Sequence, residues 1–191
     1  MHSTAYDKEL DSSSINPGFQ MFEKRVSGMF LGEILRRVML HMIDESNLFN
    51  GKTSKSLTTQ YGIDTAAMSA IAGDTSPDLP GVGDTISSAF GIAETSLEDR
   101  KAVKLVSDAI VKRSARLAAV AISAVSDHTS RFTDATEEKP VDIGADGSLV
   151  EFYPHYCDMC LAACEEILGD NASKKIRLGL AKDGSGVGAA L

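Results

Sequence analysis

Apolar residues recur at helical spacing after a turn at residues 16–18, Asn16-Pro17-Gly18. One row steps by four residues from Phe22 to Met42, and a second row runs from Leu31 to Ile43. Two adjacent rows form a wide apolar stripe, which is typical of a helix with one face in a core. The pattern predicts a long, buried helix over residues 19–43 with Asn16 as its N-cap, and a loop over residues 1–15.

Two features refine this predicted helix. Gly28 and Gly32 lie one turn apart, where the missing side chains let another backbone come close. Glu33 is expected to pair with Arg36 or Arg37 on the solvent-facing side of the helix.

The next segment, residues 48–94, is irregular and rich in turn-forming residues. Two short helices are predicted in it, at Thr65–Ile71 and Asp84–Phe90. A capping box of Thr95 and Glu98 then predicts a helix that runs to about Ser126. The second half of that helix is rich in alanine and other small residues, which suits close packing against a sheet or another helix.

The last third of the chain alternates between strand and helix patterns. VDIGA (141–145) and IRLGLA (176–181) are typical of strands, and LVEF (149–152) is predicted as a further strand or extended piece. A helix is predicted from Pro154 to about Leu168, and a glycine turn at residues 183–186 leads into a final apolar helix. Strands separated by helices favour a parallel βαβ arrangement, with ligand loops at the carboxyl ends of the strands. The predicted fold is therefore α/β and helix-rich.

Composition narrows the function classes. The 191 residues are 43% hydrophobic and 24% charged, which is typical of a folded globular domain. The net charge of −8 argues against a nucleic-acid or anionic-membrane partner, since both favour basic surfaces. The polar, acidic start is not a signal peptide, and three cysteines fit a reducing compartment, so a cytoplasmic location is expected.

Three cysteines, Cys157, Cys160 and Cys164, have spacing that suggests metal ligation, with His155 nearby. They fall on one face of a predicted continuous helix, where three thiols do not close a tetrahedral site. Buried structural thiols are the favoured interpretation. The four histidines show no companion spacing that would build a nucleophilic Cys–His or Ser–His pair.

Two other patterns are ambiguous from the residues alone. Asp-Gly-Ser follows a strand pattern twice, at residues 146–148 and 183–185, and such a turn suits either a phosphate site or a structural role. Gln20 and Glu23 lie near the start of the first predicted helix, where spacing alone favours a capping role.

Four stretches together identify a resemblance. NPGFQMFEKRVSGMFLGEILRR, RSARLAA, ADGSLVEFYPHY and LAKDGSGVGAAL resemble the hexokinase family, and most closely its fungal hexokinases and glucokinases. The resemblance covers nearly the whole chain, with the motifs in the family's order and spacing. It implies a fold of two ribonuclease-H-like domains, arranged as in actin, that close on a sugar. Residues 1–191 are then expected to be a single, incomplete large domain of that fold, with parallel strands and long helices.

The resemblance also implies an activity and its site residues. The family transfers the γ-phosphoryl group of ATP, bound with Mg²⁺, to the 6-hydroxyl of glucose or a related hexose. By resemblance the sugar is bound by Glu23, with Gln20 beside it. The residues implied for the nucleotide are Gly28, Thr65 and Ser69, together with the adenosine-binding Gly147, Ser148, Leu149 and Phe152.

Departures from the family pattern limit the catalytic activity that is expected of this chain. The catalytic Asp and two glycine-rich phosphate loops of the family precede the matching segment, and no stretch of this chain replaces them. Met29 stands where some animal members carry a Lys. We therefore expect a fragment of a hexose kinase that is inactive alone. Two other hypotheses stay open: a non-catalytic, nucleotide-binding regulatory module, and a helix-rich scaffold that binds no ligand.

Overall fold

A computed structural model describes residues 3–181 of the chain, and its internal contacts form two compact units. Unit 1 comprises residues 1–111 and unit 2 comprises residues 112–191. The boundary falls inside a helix of 32 residues, α7 (Leu97–His128). Within residues 3–181, no helix is both long and apolar enough to cross a membrane.

Unit 1 is built from helices around one dominant helix, α3. Its helices before α7 are α1 (Ala5–Ser13), α2 (Glu23–Val26), α3 (Gly28–Ser46), α4 (Lys55–Thr58), α5 (Thr65–Gly73) and α6 (Pro80–Thr85). A 3₁₀ turn at Leu48–Gly51 follows α3, and a π-helical turn at Ile86–Phe90 follows α6. The short helices predicted around residues 65–71 and 84–90 are thus confirmed, with shifted bounds.

The predicted loop over residues 1–15 is wrong, because a capping box nucleates α1. The Thr4 side chain accepts the Asp7 N–H, and the Asp7 carboxylate accepts the Thr4 N–H at 2.8 Å. This reciprocal pair satisfies two backbone donors that the first turn otherwise leaves open. Leu10 then buries its side chain and anchors the helix to the core of unit 1.

The predicted helix over residues 19–43 is also wrong at its start. Ser27 adopts an extended conformation (φ −70°, ψ 136°) and its side chain accepts the Met29 N–H, so α3 begins at Gly28. Phe19 is 71% exposed, and the buried stripe starts only at Phe30. Asn16 caps no helix; instead its side chain donates to the Gln20 side chain. A capping serine inside the apolar pattern therefore divides it into α2 and α3.

The capping box of α7 lies one residue later than predicted. The Ser96 hydroxyl accepts the Asp99 N–H at 3.0 Å, and the Asp99 carboxylate accepts the Ser96 N–H at 2.9 Å. Asp99 also accepts the Phe49 N–H at 3.0 Å, so this cap ties the start of α7 to the turn after α3. Thr95 and Glu98 have the right spacing, but the next pair in the sequence forms the cap.

Unit 2 contains the end of α7 and a small parallel sheet. Its other elements are α8 (Arg131–Asp134), β1 (Val141–Ala145), α9 (Ser148–Phe152), α10 (Tyr156–Leu168), α11 (Ala172–Lys175) and β2 (Ile176–Leu180). The strands pair in parallel, from Val141 opposite Ile176 to Ala145 opposite Leu180. Both predicted strands and their parallel arrangement are confirmed. The predicted strand or extended piece at 149–152 is wrong, because a four-residue apolar run cannot distinguish a strand from a short helix.

The core of unit 2 consists of small and sulfur-containing side chains. Its fully buried cluster comprises Ala119, Ala163, Cys164, Ala172 and Ile176. Small residues on α7 and α10 permit close packing, as the alanine-rich pattern predicts. One face of the sheet packs against this cluster through Ile143 and Leu178.

Candidate functional site

Three consecutive charged residues begin α2, and their side chains have different environments. Lys24 is 2% exposed and its ammonium group donates to the Asp11 carboxylate and to the Asn16 carbonyl, each at 2.7 Å. Arg25 is also buried, with the Asp7 carboxylate 3.9 Å from its Nε. Glu23 is exposed. Its carboxylate makes no hydrogen bond or ion pair within the part of the chain that the structure describes, so it is available to a ligand.

Asp11 fixes the segment that carries Gln20 and Glu23. Besides Lys24, its carboxylate accepts the Gly18 N–H at 3.0 Å. The hydrogen bond from Lys24, with help from Gly18, lowers the pKa of the Asp11 carboxyl below its ordinary value. Gln20 has a left-handed backbone (φ 53°), and its carbonyl accepts the Lys24 N–H at 2.9 Å. The sequence did not signal this anchor, because Asp11 and Lys24 are thirteen residues apart and have no helical spacing.

Thr65, at the start of α5, contacts the first turn of α3. Its hydroxyl accepts the Gly32 N–H at 2.9 Å and donates to the Gly28 carbonyl. In an α-helix the Gly32 N–H would donate directly to the Gly28 carbonyl. The Thr65 hydroxyl therefore bridges the donor and the acceptor of one helical hydrogen bond. The close approach predicted for this glycine pair is confirmed at Gly32. A Cβ built there would lie 2.9 Å from the Thr65 nitrogen and closer still to the Ile63 carbonyl oxygen.

Glu33 and Arg36 form a buried ion pair in α3. The guanidinium group donates to both carboxylate oxygens, at 2.6 and 2.7 Å, and to the Leu57 carbonyl at 2.6 Å. Glu33 also accepts the Tyr61 N–H at 2.7 Å, and Arg37 lies 2.9 Å from it. The predicted pairing is confirmed, but the predicted solvent-facing position is wrong, since Glu33 is 1% exposed.

The remaining nucleotide candidate of unit 1 is Ser69. It is half-buried on α5, four residues after Thr65 and therefore on the same face of the helix. Met29 projects to solvent at the start of α3, with 74% of its surface exposed. Unit 1 thus brings Thr65 into contact with Gly28, and it leaves Ser69 and Met29 partly or largely accessible.

In unit 2, the turn after β1 carries the other nucleotide candidates. Gly147 has φ +124°, a conformation that side-chain-bearing residues rarely adopt, and a Cβ there would meet nothing within 4 Å. Its carbonyl accepts the Val150 and Glu151 N–H groups at 3.1 Å each, which starts α9. Ser148 is exposed, Leu149 is buried, and Phe152 is 66% exposed. Backbone conformation, and not lack of space, therefore requires the glycine.

The parallel register brings the carboxyl ends of both strands to one edge of the sheet. The Ala181 N–H donates to the Ala145 carbonyl at 2.9 Å, directly beside the turn at Gly147. The second predicted glycine turn, at residues 183–185, and the apolar helix after it lie outside the described residues. The predicted position of the first turn, at the carboxyl end of a parallel strand, is confirmed, and its role as a ligand loop stays a prediction.

The three cysteines lie on α10. Cys160 and Cys164 are buried, which confirms the structural interpretation for these two, and Cys157 is half-buried. Burial raises the pKa of the Cys160 thiol to about 12 and raises the pKa of the Cys157 and Cys164 thiols as well. Burial likewise raises the pKa of Tyr156 to about 12, and its hydroxyl lies 2.9 Å from that of Ser114. Among residues 3–181, no group of three or more His, Cys, Asp and Glu side chains could hold a metal ion.

Comparison with known proteins identifies the family. A family model described as Hexokinase matches residues 1–191. A glucokinase of Aspergillus niger is 44% identical over 99% of this chain and 40% of its own length. Hexokinase-2 of Schizosaccharomyces pombe is 41% identical over the whole chain and 40% of its own length.

Solved structures agree with the sequence matches. A hexokinase from Schistosoma mansoni complexed with glucose superposes with a TM-score of 0.84 and 29% identity, covering 98% of this chain and 40% of that one. This likeness confirms the predicted hexokinase-type fold. The chain spans about 40% of the length of the curated relatives that it matches. The chain belongs to the hexokinase family.

Proposed function

We propose that this chain supplies a sugar-binding acid and a nucleotide-binding surface to an ATP-dependent hexose kinase. The observation that carries the proposal is the exposed carboxylate of Glu23, which has no partner among the described residues and is followed directly by two buried cations that lie beside other carboxylates. The relatives support it, since they are glucokinases and hexokinases at 40–44% identity, and the Schistosoma hexokinase was solved with glucose.

The sugar would be bound by Glu23 and Gln20. A carboxylate accepts charge-assisted hydrogen bonds from hydroxyl groups, which are roughly twice as strong as neutral ones. Burial of Lys24 and Arg25 against Asp11 and Asp7 fixes the backbone that directly follows Glu23, and neither cation pairs with the Glu23 carboxylate. Gln20 uses its side-chain oxygen to accept from Asn16 at 2.5 Å, so its amide N–H groups remain to donate to a sugar oxygen.

Candidate nucleotide-binding residues are proposed within each unit, and each set is considered by itself. The turn at Gly147 presents backbone without a side chain, and the exposed ring of Phe152 offers an apolar face for a base. Ser148 adds an exposed hydroxyl. In unit 1, Gly28 and Ser69 are the accessible candidates, whereas the hydroxyl of Thr65 is occupied by the backbone of α3. Leu149 would anchor the turn to the interior of unit 2, because its side chain is buried.

Mg²⁺ would enter with the nucleotide, coordinated mainly by phosphate oxygens and water, which is its usual mode in phosphoryl-transfer sites. The bound Mg-ATP supplies the phosphoryl group, and the residues of this chain bind and orient the reactants. By family resemblance, the acid that accepts the sugar proton is not in this chain. We therefore propose that the 191 residues alone do not catalyse phosphoryl transfer to a hexose.

Two measurements on the chain itself test this proposal. A coupled assay with glucose, ATP and Mg²⁺ should show no turnover above background. A thermal-shift titration with Mg-ATP should show saturable stabilisation, because a ligand that binds only the folded state raises its stability. Robust turnover would contradict the proposed inactivity. If Mg-ATP did not change the melting temperature, the hypothesis of a scaffold that binds no ligand would be favoured.

A chimera tests the sugar assignment. This chain would replace the segment that it matches in the Aspergillus niger glucokinase, and glucose phosphorylation is expected to persist. Glu23→Ala in the chimera should lower kcat/KM for glucose by about 10²-fold or more, since two charge-assisted hydrogen bonds of about 1.5–3 kcal/mol each are lost. The matched control is Glu45→Ala, an exposed acid at the end of α3 that should leave the kinetics unchanged. Equal kinetics for both variants would refute the role of Glu23, and a chimera that binds nucleotide without turnover would favour the regulatory alternative.

A further inference from the structure

A cavity of about 370 Å³ lies in unit 1, lined by residues of α1 and α3 and by Thr53 in the loop before α4. None of the residues proposed to bind the sugar or the nucleotide lines it. Concave surfaces of this size are typical of sites for small molecules. The side chains of the cavity therefore decide which class of ligand it fits.

Two guanidinium groups, those of Arg36 and Arg37, belong to the lining. Both pair with the same buried carboxylate, because each lies within 2.9 Å of one oxygen of Glu33. The side chain of Arg36 is buried and that of Arg37 is only 13% exposed. Two cations and one carboxylate leave a surplus of one positive charge in this poorly solvated cluster. Since a buried charge without a counter-ion is costly, an additional anion is favoured beside these arginines.

Arg37 is the less completely paired of the two. Its Nη2 donates to the Ser13 hydroxyl at 2.7 Å, but its Nη1 lies 3.5 Å from the carboxylate of Glu9, which is 59% exposed. Water screens an exposed pair of this kind, so the contact contributes little. The Nε of Arg37 is buried and has no acceptor among the residues that the structure describes. An anion in the cavity can therefore replace Glu9 as the partner of Arg37.

Apolar and aromatic groups complete the lining. Leu40 is half-buried, Ile43 is buried, and the rings of Tyr6 and His41 pack edge to face with their centroids 5.9 Å apart. An inorganic ion is too small to contact these groups and the arginines together. The cavity thus suits an organic anion that has one charged group and a compact, largely apolar body.

The acids of the lining are Glu9 and Asp44, and both are exposed. They repel an anion, although water reduces the repulsion. They therefore limit the affinity for an anion, and removing Glu9 should increase that affinity.

We propose that the cavity between α1 and α3 binds a small organic anion whose carboxylate or phosphate group pairs with Arg37 and Arg36. Arginine suits both groups, because its planar fork of N–H donors matches their oxygens. The body of the ligand packs against Leu40 and the ring of Tyr6, and its charged group displaces Glu9 from Arg37. The inference does not rest on the proposed function, since the two sets of residues are different.

The experiment uses the 191-residue chain and two aromatic probes, benzoate and phenyl phosphate, in isothermal titration calorimetry. Chloride keeps the ionic strength constant, because salt screens such contacts. Saturable binding of one probe molecule per chain is expected, and the tighter probe identifies the preferred charged group. Inorganic phosphate, which lacks the apolar body, should bind at least about tenfold more weakly than phenyl phosphate. Saturating Mg-ATP should leave the probe bound.

Three variants locate the binding. Arg37→Gln should weaken probe binding by about tenfold or more, because a charge-assisted pair is lost. The matched control is Arg116→Gln in unit 2, which removes an exposed arginine that pairs with the exposed Glu166, and it should leave binding within about twofold. Glu9→Gln should strengthen binding by about two- to fivefold, because it removes the competing carboxylate. Glu9 is exposed, so this variant should keep the parent melting temperature and remains informative if Arg37→Gln does not fold.

The proposal would be overturned if neither aromatic probe bound saturably to the parent chain. Equal affinities of Arg37→Gln and Arg116→Gln would also overturn it, as would weaker binding to Glu9→Gln. Inorganic phosphate that bound as tightly as phenyl phosphate would contradict the contact with an apolar body. Displacement of the probe by Mg-ATP would place the probe at a nucleotide site. None of the other outcomes bears on the thermal-shift or kinetic tests of the proposed function.

Discussion

The two units bury different kinds of side chain. The charged residues buried in unit 1 are Asp7, Lys24, Arg25, Glu33 and Arg36. Among the described residues of unit 2 no charged side chain is buried, and its interior consists of alanines, thiols, serines and a few larger apolar groups.

This difference separates two ways of positioning a site. Buried charges require matched partners at fixed positions, so they specify the geometry of a segment more strictly than apolar contacts do, although they add little net stability. In unit 1 they hold the backbone beside Glu23. In unit 2 the turn at Gly147 depends on a parallel strand pair and on close packing of small residues. We expect unit 1 to be sensitive to loss of charge and of close contacts, and unit 2 to be tolerant of polar changes at its surface.

The largest effect should follow from breaking the Glu33–Arg36 pair. Arg36→Ala leaves a carboxylate that is 1% exposed with fewer donors, and it should lower the free energy of unfolding by about 3–5 kcal/mol. Urea denaturation monitored by circular dichroism measures this. Lys101→Ala is the control, because its partner Glu98 is exposed and such pairs contribute about 0–1 kcal/mol. Equal losses in the two variants would contradict the distinction between buried and exposed charge.

Acid should remove the same stabilisation. Burial alone raises the pKa of the Glu33 carboxyl, but hydrogen bonds from Arg36 and the Tyr61 N–H outweigh burial and hold the pKa below its ordinary 4.5. A depressed folded-state pKa contributes stability that is present above pH 4.5 and is lost as the pH falls through the folded-state value. The free energy of unfolding of the parent chain should therefore decline at acidic pH. Glu33→Gln should decline less steeply over the same interval, and parallel curves would show that other groups dominate.

The contact between α3 and α5 should be the next most sensitive feature. Gly32→Ala adds a Cβ that collides with the backbone of Ile63 and Thr65, and it should destabilise unit 1 by about 1–3 kcal/mol. Gly73→Ala, near the end of α5, meets nothing within 4 Å and should be neutral or stabilising by about 0.5–1 kcal/mol. Thermal melts of both variants measure the difference. If both substitutions changed the melting temperature in the same direction, backbone entropy, and not the close approach of α3 and α5, would determine the effect of replacing these glycines.

Loss of the Thr65 hydroxyl should have a smaller effect. Thr65→Val keeps the shape but removes the group between the Gly28 carbonyl and the Gly32 N–H, and it should reduce stability by about 1–2 kcal/mol. Thr65→Ser keeps the hydroxyl and should recover most of that loss. Hydrogen exchange at the Gly32 amide should rise in the Val variant only. Unchanged exchange would show that the helix closes its own hydrogen bond without the hydroxyl.

These features differ in how far the sequence predicted them. Periodicity predicted most of α3, α7 and the two strands, because their apolar faces are long and the signal adds over many residues. Caps were predicted less well, since T-x-x-D at Thr4 was missed and the box at Ser96 was placed one residue early. The long-range contacts of Asp11, Glu33 and Thr65 could not be predicted at all, because no local pattern records which distant backbone group a buried side chain meets.

The candidate site was predicted from the family resemblance and not from periodicity. Spacing alone favoured a capping role for Glu23, whereas the structure leaves its side chain exposed and without a partner in the described residues. The resemblance also grouped Thr65 with the nucleotide residues, and only the structure shows that its hydroxyl bonds to the backbone of α3. A motif match therefore transfers a position more safely than it transfers the role of one atom.

The smallest change in stability is expected at the cysteines of unit 2. A substitution there should alter thiol reactivity and leave the free energy of unfolding nearly unchanged. Cys157 is half-buried, and burial raises its pKa, so it should react slowly with iodoacetamide in the folded chain. Cys160 and Cys164 are buried, and the pKa of Cys160 is raised to about 12, so both should react only after unfolding. Cys157→Ser should abolish the native reaction and change the free energy of unfolding by about 0.5 kcal/mol or less. Mass spectrometry after timed alkylation counts the modified thiols. Rapid labelling of all three without denaturant would mean that unit 2 opens readily, and the contrast between the two interiors would then lie in their dynamics more than in their side chains.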